Sequence, residues 1–162
     1  MKRLFRLFFS ICIAVFIVPG CGNAPNTSNV PHAAFWKKQG IDVLEQWDYH
    51  ARDTAAGGFH TFLDRQWRPY NGTEKYPGMI SRHLFSYSAG YLLSGEKKYL
   101  ERASRIADYL IKYGWDDKYG GWYNALSRQG RVVDSLKDGF FQPYAIAGLT
   151  MYYFVTHDQK AL

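Results

Sequence analysis

Four stretches of the chain carry apolar residues at helical spacing, and they alternate in character. Over 33–52, Phe35, Ile41, Leu44, Trp47 and His50 fall near one stripe, with Gly40 weakening the middle. Over 78–94, Ile80, Leu84, Tyr87 and Tyr91 share a face and Phe85, Ala89 and Leu92 lie beside it. A surface that broad implies burial on more than one side. Over 97–113, Leu100, Ala103, Ile106, Ala107, Leu110 and Ile111 follow the i, i+3, i+4, i+7 rule, while Glu101, Arg102, Arg105, Asp108 and Lys112 make a wet face. Over 138–156 the chain is apolar nearly all round, with Phe140, Phe141, Tyr144, Ile146, Leu149, Met151, Tyr152 and Phe154. The first and third helices are therefore expected to form an outer layer, and the second and fourth an inner one.

The connections alternate too. Ser94-Gly95-Glu96 is a tight turn, whereas 53–77 and 114–137 are long, and loops of that length in a compact domain usually carry function. Each long loop holds a Gly pair, an aromatic residue and a short alternating run: Gly57-Gly58-Phe59 leading to Leu63-Asp64, and Gly120-Gly121-Trp122 leading to Leu126-Ser127. Such runs predict a short strand or hairpin, with Arg65-Gln66-Trp67 and Arg128-Gln129-Gly130 as the turns. The blocks are copies. Leu63 and Gln66 recur as Leu126 and Gln129 at an offset of 63, and Lys75 and Leu100 recur as Lys137 and Leu162 at an offset of 62. A period above 50 residues marks a chain built from one repeated supersecondary unit, which needs neighbours to bury its apolar face. Lys75 and Lys137, at matching positions, are expected to fix loop to helix.

The N-terminus reads as an export signal. Lys2, Arg3 and Arg6 precede an apolar run from Leu7 to Val18, within the ~7–15 residues of a signal core and short of the ~20 that span a bilayer. Gly20-Cys21 closes that run and resembles the lipobox of bacterial lipoproteins, in which the cysteine is acylated and becomes the first mature residue. An ordinary secretory signal with Cys21 incidental is the alternative. The lipobox reading divides the chain into a leader at 1–20, a lipidated Cys21 with a small, polar, Pro-rich tether at 21–32, and a domain at 33–162. It places the protein in the cell envelope, anchored to a bacterial membrane. Cys12 leaves with the leader and lipid consumes Cys21, so no disulfide or cysteine metal site is expected. Loss of the leader also lowers the formal net charge from +6 to +3, which offers no case for nucleic acid.

Phe35-Trp36, Gly57-Gly58-Phe59 with Leu63-Asp64, Lys75, Ser81-Arg82, Phe85-Ser86, Tyr99-Leu100 with Ala103, Gly120-Gly121-Trp122, Lys137, and Gln142 with Ala145 form an ordered set. In that set the chain resembles the N-acylglucosamine 2-epimerase family, which includes cellobiose 2-epimerases and aldose–ketose isomerases, over about residues 34–162. The resemblance implies an all-α fold: an α/α toroid, the (α/α)6 barrel, with short β-hairpins in its long loops. This chain would supply its N-terminal part, about two of six helical hairpins. It also implies a mono- or disaccharide substrate, no cofactor, and proton transfer at sugar C2 through an enediol. That chemistry needs acid–base groups near working pH and a donor for the developing oxyanion. The family's two catalytic histidines lie on later inner helices, so no catalytic residue is expected here. The rest of the barrel is expected as a partner, and residues 22–162 alone are expected to be inactive.

Three residues are candidates for contact with substrate. Arg82 matches the family arginine of the second helix, and its guanidinium suits carbonyl and hydroxyl oxygens; satisfying loop carbonyls is the alternative. Tyr144, at an offset of 62 from Arg82, lines either the same cavity or the core. His60 either reaches a ligand at the mouth or is an exposed loop histidine. His83 is expected to pack, and Asn71-Gly72-Thr73 to be a turn. Phe140 departs from the family, in which tyrosine is frequent. A non-catalytic carbohydrate-binding remnant and a fragment of a six-hairpin glycoside hydrolase are the other readings. The second needs a carboxylate pair, and Asp53, Asp64, Glu74, Asp116, Asp117, Asp134 and Asp138 offer no obvious one.

Overall fold

The computed structural model describes residues 32–70 and 74–162. They form α1 (Ala33–His50), α2 (Pro77–Ser94), α3 (Lys97–Tyr109) running into a π-helical turn (Leu110–Gly114), β1 (Ala125–Leu126), β2 (Val132–Asp134), α4 (Gln142–Thr156) and a closing 3-10 turn (Gln159–Ala161). The leader, Cys21, the tether up to residue 31 and the Asn71-Gly72-Thr73 turn lie outside the described residues. Among those described, no helix is long and apolar enough to cross a membrane.

Local chemistry sets the helix ends. Proline opens α2 and stands in the first turn of α4, where its missing N–H is harmless. Gly95, at φ 74, closes α2 and returns its N–H to the Tyr91 carbonyl. The fourth helix starts at Gln142, later than its apolar periodicity predicts. Residues 138–141 form a turn, in which the Asp138 side chain accepts from the Phe140 N–H at 2.8 Å. The first helix ends at His50, because Arg52 already pairs as an isolated bridge with Phe59.

The core is organised around α2. Its Ile80, Leu84 and Tyr87 are almost wholly buried, and it packs most extensively on α4 and next on α3. α3 presents Tyr99, Ala103, Ile106, Ala107 and Leu110 to the core and keeps Glu101, Arg105, Asp108 and Lys112 in water, as its periodicity predicts. α2 and α4 approach closely: a Cβ on Gly148 would lie 2.4 Å from the Ser81 carbonyl oxygen. The expectation that the fourth helix is buried all round is not met. Ile146 and Phe154 on its outer flank are 59% and 65% exposed.

The long loops repeat each other bond for bond. Arg52 bridges Phe59 as Trp115 bridges Trp122, and Leu63 bridges Pro69 as Leu126 pairs with Val132. The second copy makes the predicted hairpin, β1 antiparallel to β2. The first makes only isolated bridges among the described residues. Both turns carry a left-handed residue at the same place, Gly130 at φ 84 and Trp67 at φ 63. The Trp67 side chain offsets that strain by stacking on His50 at 5.2 Å and meeting Trp47 edge-on.

Candidate functional site

Each Gly-Gly loop is folded around an aspartate four residues before the Gly pair. Asp53 Oδ1 accepts the Ala55 and Ala56 N–H groups at 3.1 and 3.0 Å, which curls the loop back on itself. Its Oδ2 meets Lys75 Nζ at 3.0 Å, and Arg128 grips both oxygens at 2.7 and 3.0 Å. Lys75 is fully buried, donates also to the Gly57 carbonyl, and lies 5.3 Å from the centre of the Tyr109 ring. The same ring lies on Gly58, 3.2 Å from where a Cβ would stand. Burial alone would raise the Asp53 pKa. The bonds from Arg128, the Ala56 N–H and Lys75 outweigh it and hold the carboxyl well below the usual carboxylate range.

The second loop repeats this arrangement. Asp116 accepts from the Lys118 and Tyr119 N–H groups at 3.0 and 3.1 Å and from Lys137 Nζ at 2.8 Å. The Lys137 bond, with those N–H groups, pulls its pKa down to about 2. Lys75 and Lys137 thus do fix loop to helix, by way of a buried aspartate. In sequence, Asp53 and Asp116 stood only among loop acids without an obvious pair and Arg128 only in a turn, and all three were missed as loop anchors. The signal was present: Asp-x-x-x-Gly-Gly-aromatic occurs twice, at an offset of 63.

These anchored loops lead into α2 and α4, which bring two of the three candidate residues together. Arg82 is exposed on α2, and its guanidinium lies 5.3 Å from the centre of the Tyr144 ring on α4. Tyr144 is half-buried, braced edge-on by Phe140 at 5.3 Å. Among the described residues Arg82 bonds no loop carbonyl and no carboxylate; its one polar neighbour is the Met79 sulfur at 3.7 Å. A cation set against an aromatic face with its other donors free can bind the oxygens of a neutral polyol while the ring covers a C–H face. Arg82 also lines an open groove of about 280 Å³ with Met79, His83, Trp47 and Val43.

His60 stands elsewhere. It is half-buried, with Nε2 4.0 Å from Asp53 Oδ2, and burial lowers its pKa against the pull of that charge. His83 packs as its helical position predicts, stacked on Phe59 at 4.6 Å and edge-on to Trp47. Burial and the adjacent Arg82 charge push its pKa down to about 4, so it is a neutral ring near pH 7. Among the described residues no group of three or more histidine, cysteine, aspartate or glutamate side chains could hold a metal ion.

The segment that carries both aspartate loops, the two lysines and the Arg82–Tyr144 pair matches a known family. The family model of N-acylglucosamine 2-epimerase matches residues 32–148. The chain belongs to the N-acylglucosamine 2-epimerase family. A cellobiose 2-epimerase of Bacteroides fragilis is 32% identical over 120 residues, covering 74% of this chain and 31% of that protein. Among solved structures, a sugar epimerase from a ruminal bacterium superposes with a TM-score of 0.72 at 26% identity, over 78% of this chain and 33% of that one. Cellobiose 2-epimerase from Bacillus thermoamylovorans gives 0.70 at 26% identity, over 79% and 34%. The chain thus spans about a third of the length of the relatives it matches. Its mostly helical fold has its structural neighbours in the (α/α)6-barrel epimerases, and the matched segment contains both aspartate loops, Arg82 and Tyr144.

Proposed function

We propose that this chain forms part of the wall of a carbohydrate 2-epimerase site, as two of the six hairpins of an (α/α)6 barrel. The observation that carries this reading is the free Arg82 guanidinium set over Tyr144 where the two inner helices meet. In this role Arg82 donates to oxygens of the opened sugar and stabilises negative charge as it develops toward the enediolate. Tyr144 holds the guanidinium in place and packs against the sugar. The groups that remove and return the C2 proton come from other hairpins. His83 is neutral and packed between aromatic rings, and His60 belongs to the Asp53 cluster. A glycosidase reading finds less support, since Asp53 and Asp116 are both committed to lysine pairs.

This division of labour has a direct test. The chain incubated with cellobiose, mannose or N-acetylglucosamine in D₂O is expected to give no exchange at C2 by proton NMR. Exchange above the uncatalysed rate would contradict it. The cell-envelope reading is likewise a proposal, resting on Gly20-Cys21 after the apolar leader. Cells given labelled palmitate are expected to label the protein and to lose that label in Cys21→Ser. A wild-type chain that stays unlabelled in the soluble fraction would exclude the anchor.

A further inference from the structure

The end of α1, the first Gly-Gly loop and α3 enclose a cavity of about 270 Å³. Its walls are elements joined within this chain, and it shares no lining residue with the groove beside Arg82. Three arginines line it: Arg52 where the loop begins, and Arg102 and Arg105, three residues apart on α3. Tyr109 lines it from α3, and Gly57 and Gly58 from the loop.

The acids around the cavity do not match these cations. Asp48 is shared: its Oδ1 lies 2.8 Å from Arg102 Nε, out of line for a hydrogen bond, and 3.9 Å from Arg52 Nη1. Asp53 also lines the cavity, but Arg128, Lys75 and two loop N–H groups take its oxygens. Arg105 is exposed and has no carboxylate partner among the described residues; Asp108, three residues on, pairs with Lys160. Donors are left over as well. Arg52 Nε, Arg102 Nε and the Tyr109 hydroxyl are buried without a hydrogen-bond partner, and Tyr109 is only 6% exposed. A buried donor without an acceptor is costly, and folded proteins rarely leave one. Nor does building the loop call for this charge. The repeat places Trp115 where the first loop has Arg52, and the two make the same backbone bridge.

We infer that this cavity binds an oxyanion: the phosphate group of a free phosphate ion or of a phosphorylated sugar. Guanidinium forks bond phosphate oxygens two at a time, and here three of them line one cavity from two elements. A neutral sugar would leave their like charges unopposed, so the charge selects an anion. An anion held between Arg52 and the α3 arginines ties the first Gly-Gly loop to the outer layer and stabilises the folded chain when bound. The cavity lies apart from Arg82 and Tyr144, so this inference stands or falls independently of the epimerase reading.

The test is isothermal titration calorimetry of the full chain in a mild detergent, with inorganic phosphate and with glucose 6-phosphate, at an ionic strength fixed by chloride. Saturable binding of one anion per chain is expected, unchanged when the cell also holds saturating glucose. Equal affinities assign the site to the free ion, and a tighter glucose 6-phosphate assigns it to a phosphorylated sugar. Arg105→Gln alters an exposed side chain without a partner, and circular dichroism checks that the variant is folded. Its affinity is expected to fall on the order of tenfold or more, the loss of a charged hydrogen bond. Arg52→Trp copies the residue of the second loop and is expected to fold without binding. Arg131→Gln, at an exposed arginine outside the cavity, is expected to bind as wild type does. No saturable binding of either anion, competition by glucose, or an affinity indifferent to Arg105→Gln and Arg52→Trp overturns the inference. An equal loss in Arg131→Gln overturns it too, by showing attraction to surface charge alone.

Discussion

Replacing Asp53 by asparagine is expected to destabilise the domain by about 3–5 kcal/mol, the usual result of removing one partner from a buried ion pair. The reason is Lys75. Its side chain is wholly inaccessible, and without the Asp53 charge a buried ammonium keeps only the Gly57 carbonyl and the face of Tyr109. Arg128 loses its partner at the same time, and with it a tie between the two units. Asp116→Asn is the control. The Lys137 side chain retains 29% of its exposure, so water can take over the lost contact and the loss should be a fraction of that for Asp53. Denaturant midpoints of the two variants check the ranking. The same pair predicts the acid limb. Asp53 has a folded pKa below its unfolded value near 4, so its contribution is full above that value and fades as pH falls through the folded one. Asp53→Asn should flatten the fall in stability below about pH 4.

Gly148→Ala is expected to lower stability by about 2–3 kcal/mol although alanine is the better helix former. The added methyl would stand 2.4 Å from the Ser81 carbonyl oxygen, and that atom is backbone, so α2 and α4 must separate. Separation opens gaps along the most extensive helix contact of the fold and moves Arg82 relative to Tyr144. Gly40→Ala in α1 isolates the propensity term, since nothing lies within 4 Å of its Cβ position. It should stabilise by about 0.5–1 kcal/mol. Thermal melts of the two variants should therefore move in opposite directions. Equal shifts would mean that the close approach of α2 and α4 is not real.

Much of this molecule was legible in its sequence, and what was not has a physical reason. The helix spans followed from apolar spacing, because burial of one stripe dictates where a helix lies. α1 stops two residues short of its expected end, α3 passes into a π-helical turn at Leu110, and the start of α4 was misplaced: Phe140 and Phe141 continue the apolar run, but the Asp138 side chain captures the Phe140 N–H in a turn. Repeat matching found Lys75 and Lys137 and passed over Asp53 and Asp116. Charged loop residues resemble solvated ones until their partners are known, and only folding brings Lys75 and Arg128 to Asp53. Arg82 and Tyr144 were legible as equivalent positions of two repeats, and the repeat geometry makes them neighbours. His60 was read from its place after the Gly pair, but its ring turns to the Asp53 cluster. The exposed flank of α4 shows the limit of periodicity, which marks an apolar face without saying which neighbour covers it.

The central claim is that the wall carrying Arg82 and Tyr144 belongs to a sugar 2-epimerase site. It is tested most directly by grafting residues 32–148 into the Bacteroides fragilis cellobiose 2-epimerase in place of its own matching segment, and measuring kcat/KM for cellobiose. The folded chimera is expected to epimerise cellobiose, and Arg82→Ala within it to lower kcat/KM on the order of 100-fold, the loss of a charged hydrogen bond in the transition state. A folded chimera without activity, or one whose activity is indifferent to Arg82→Ala, would contradict the account.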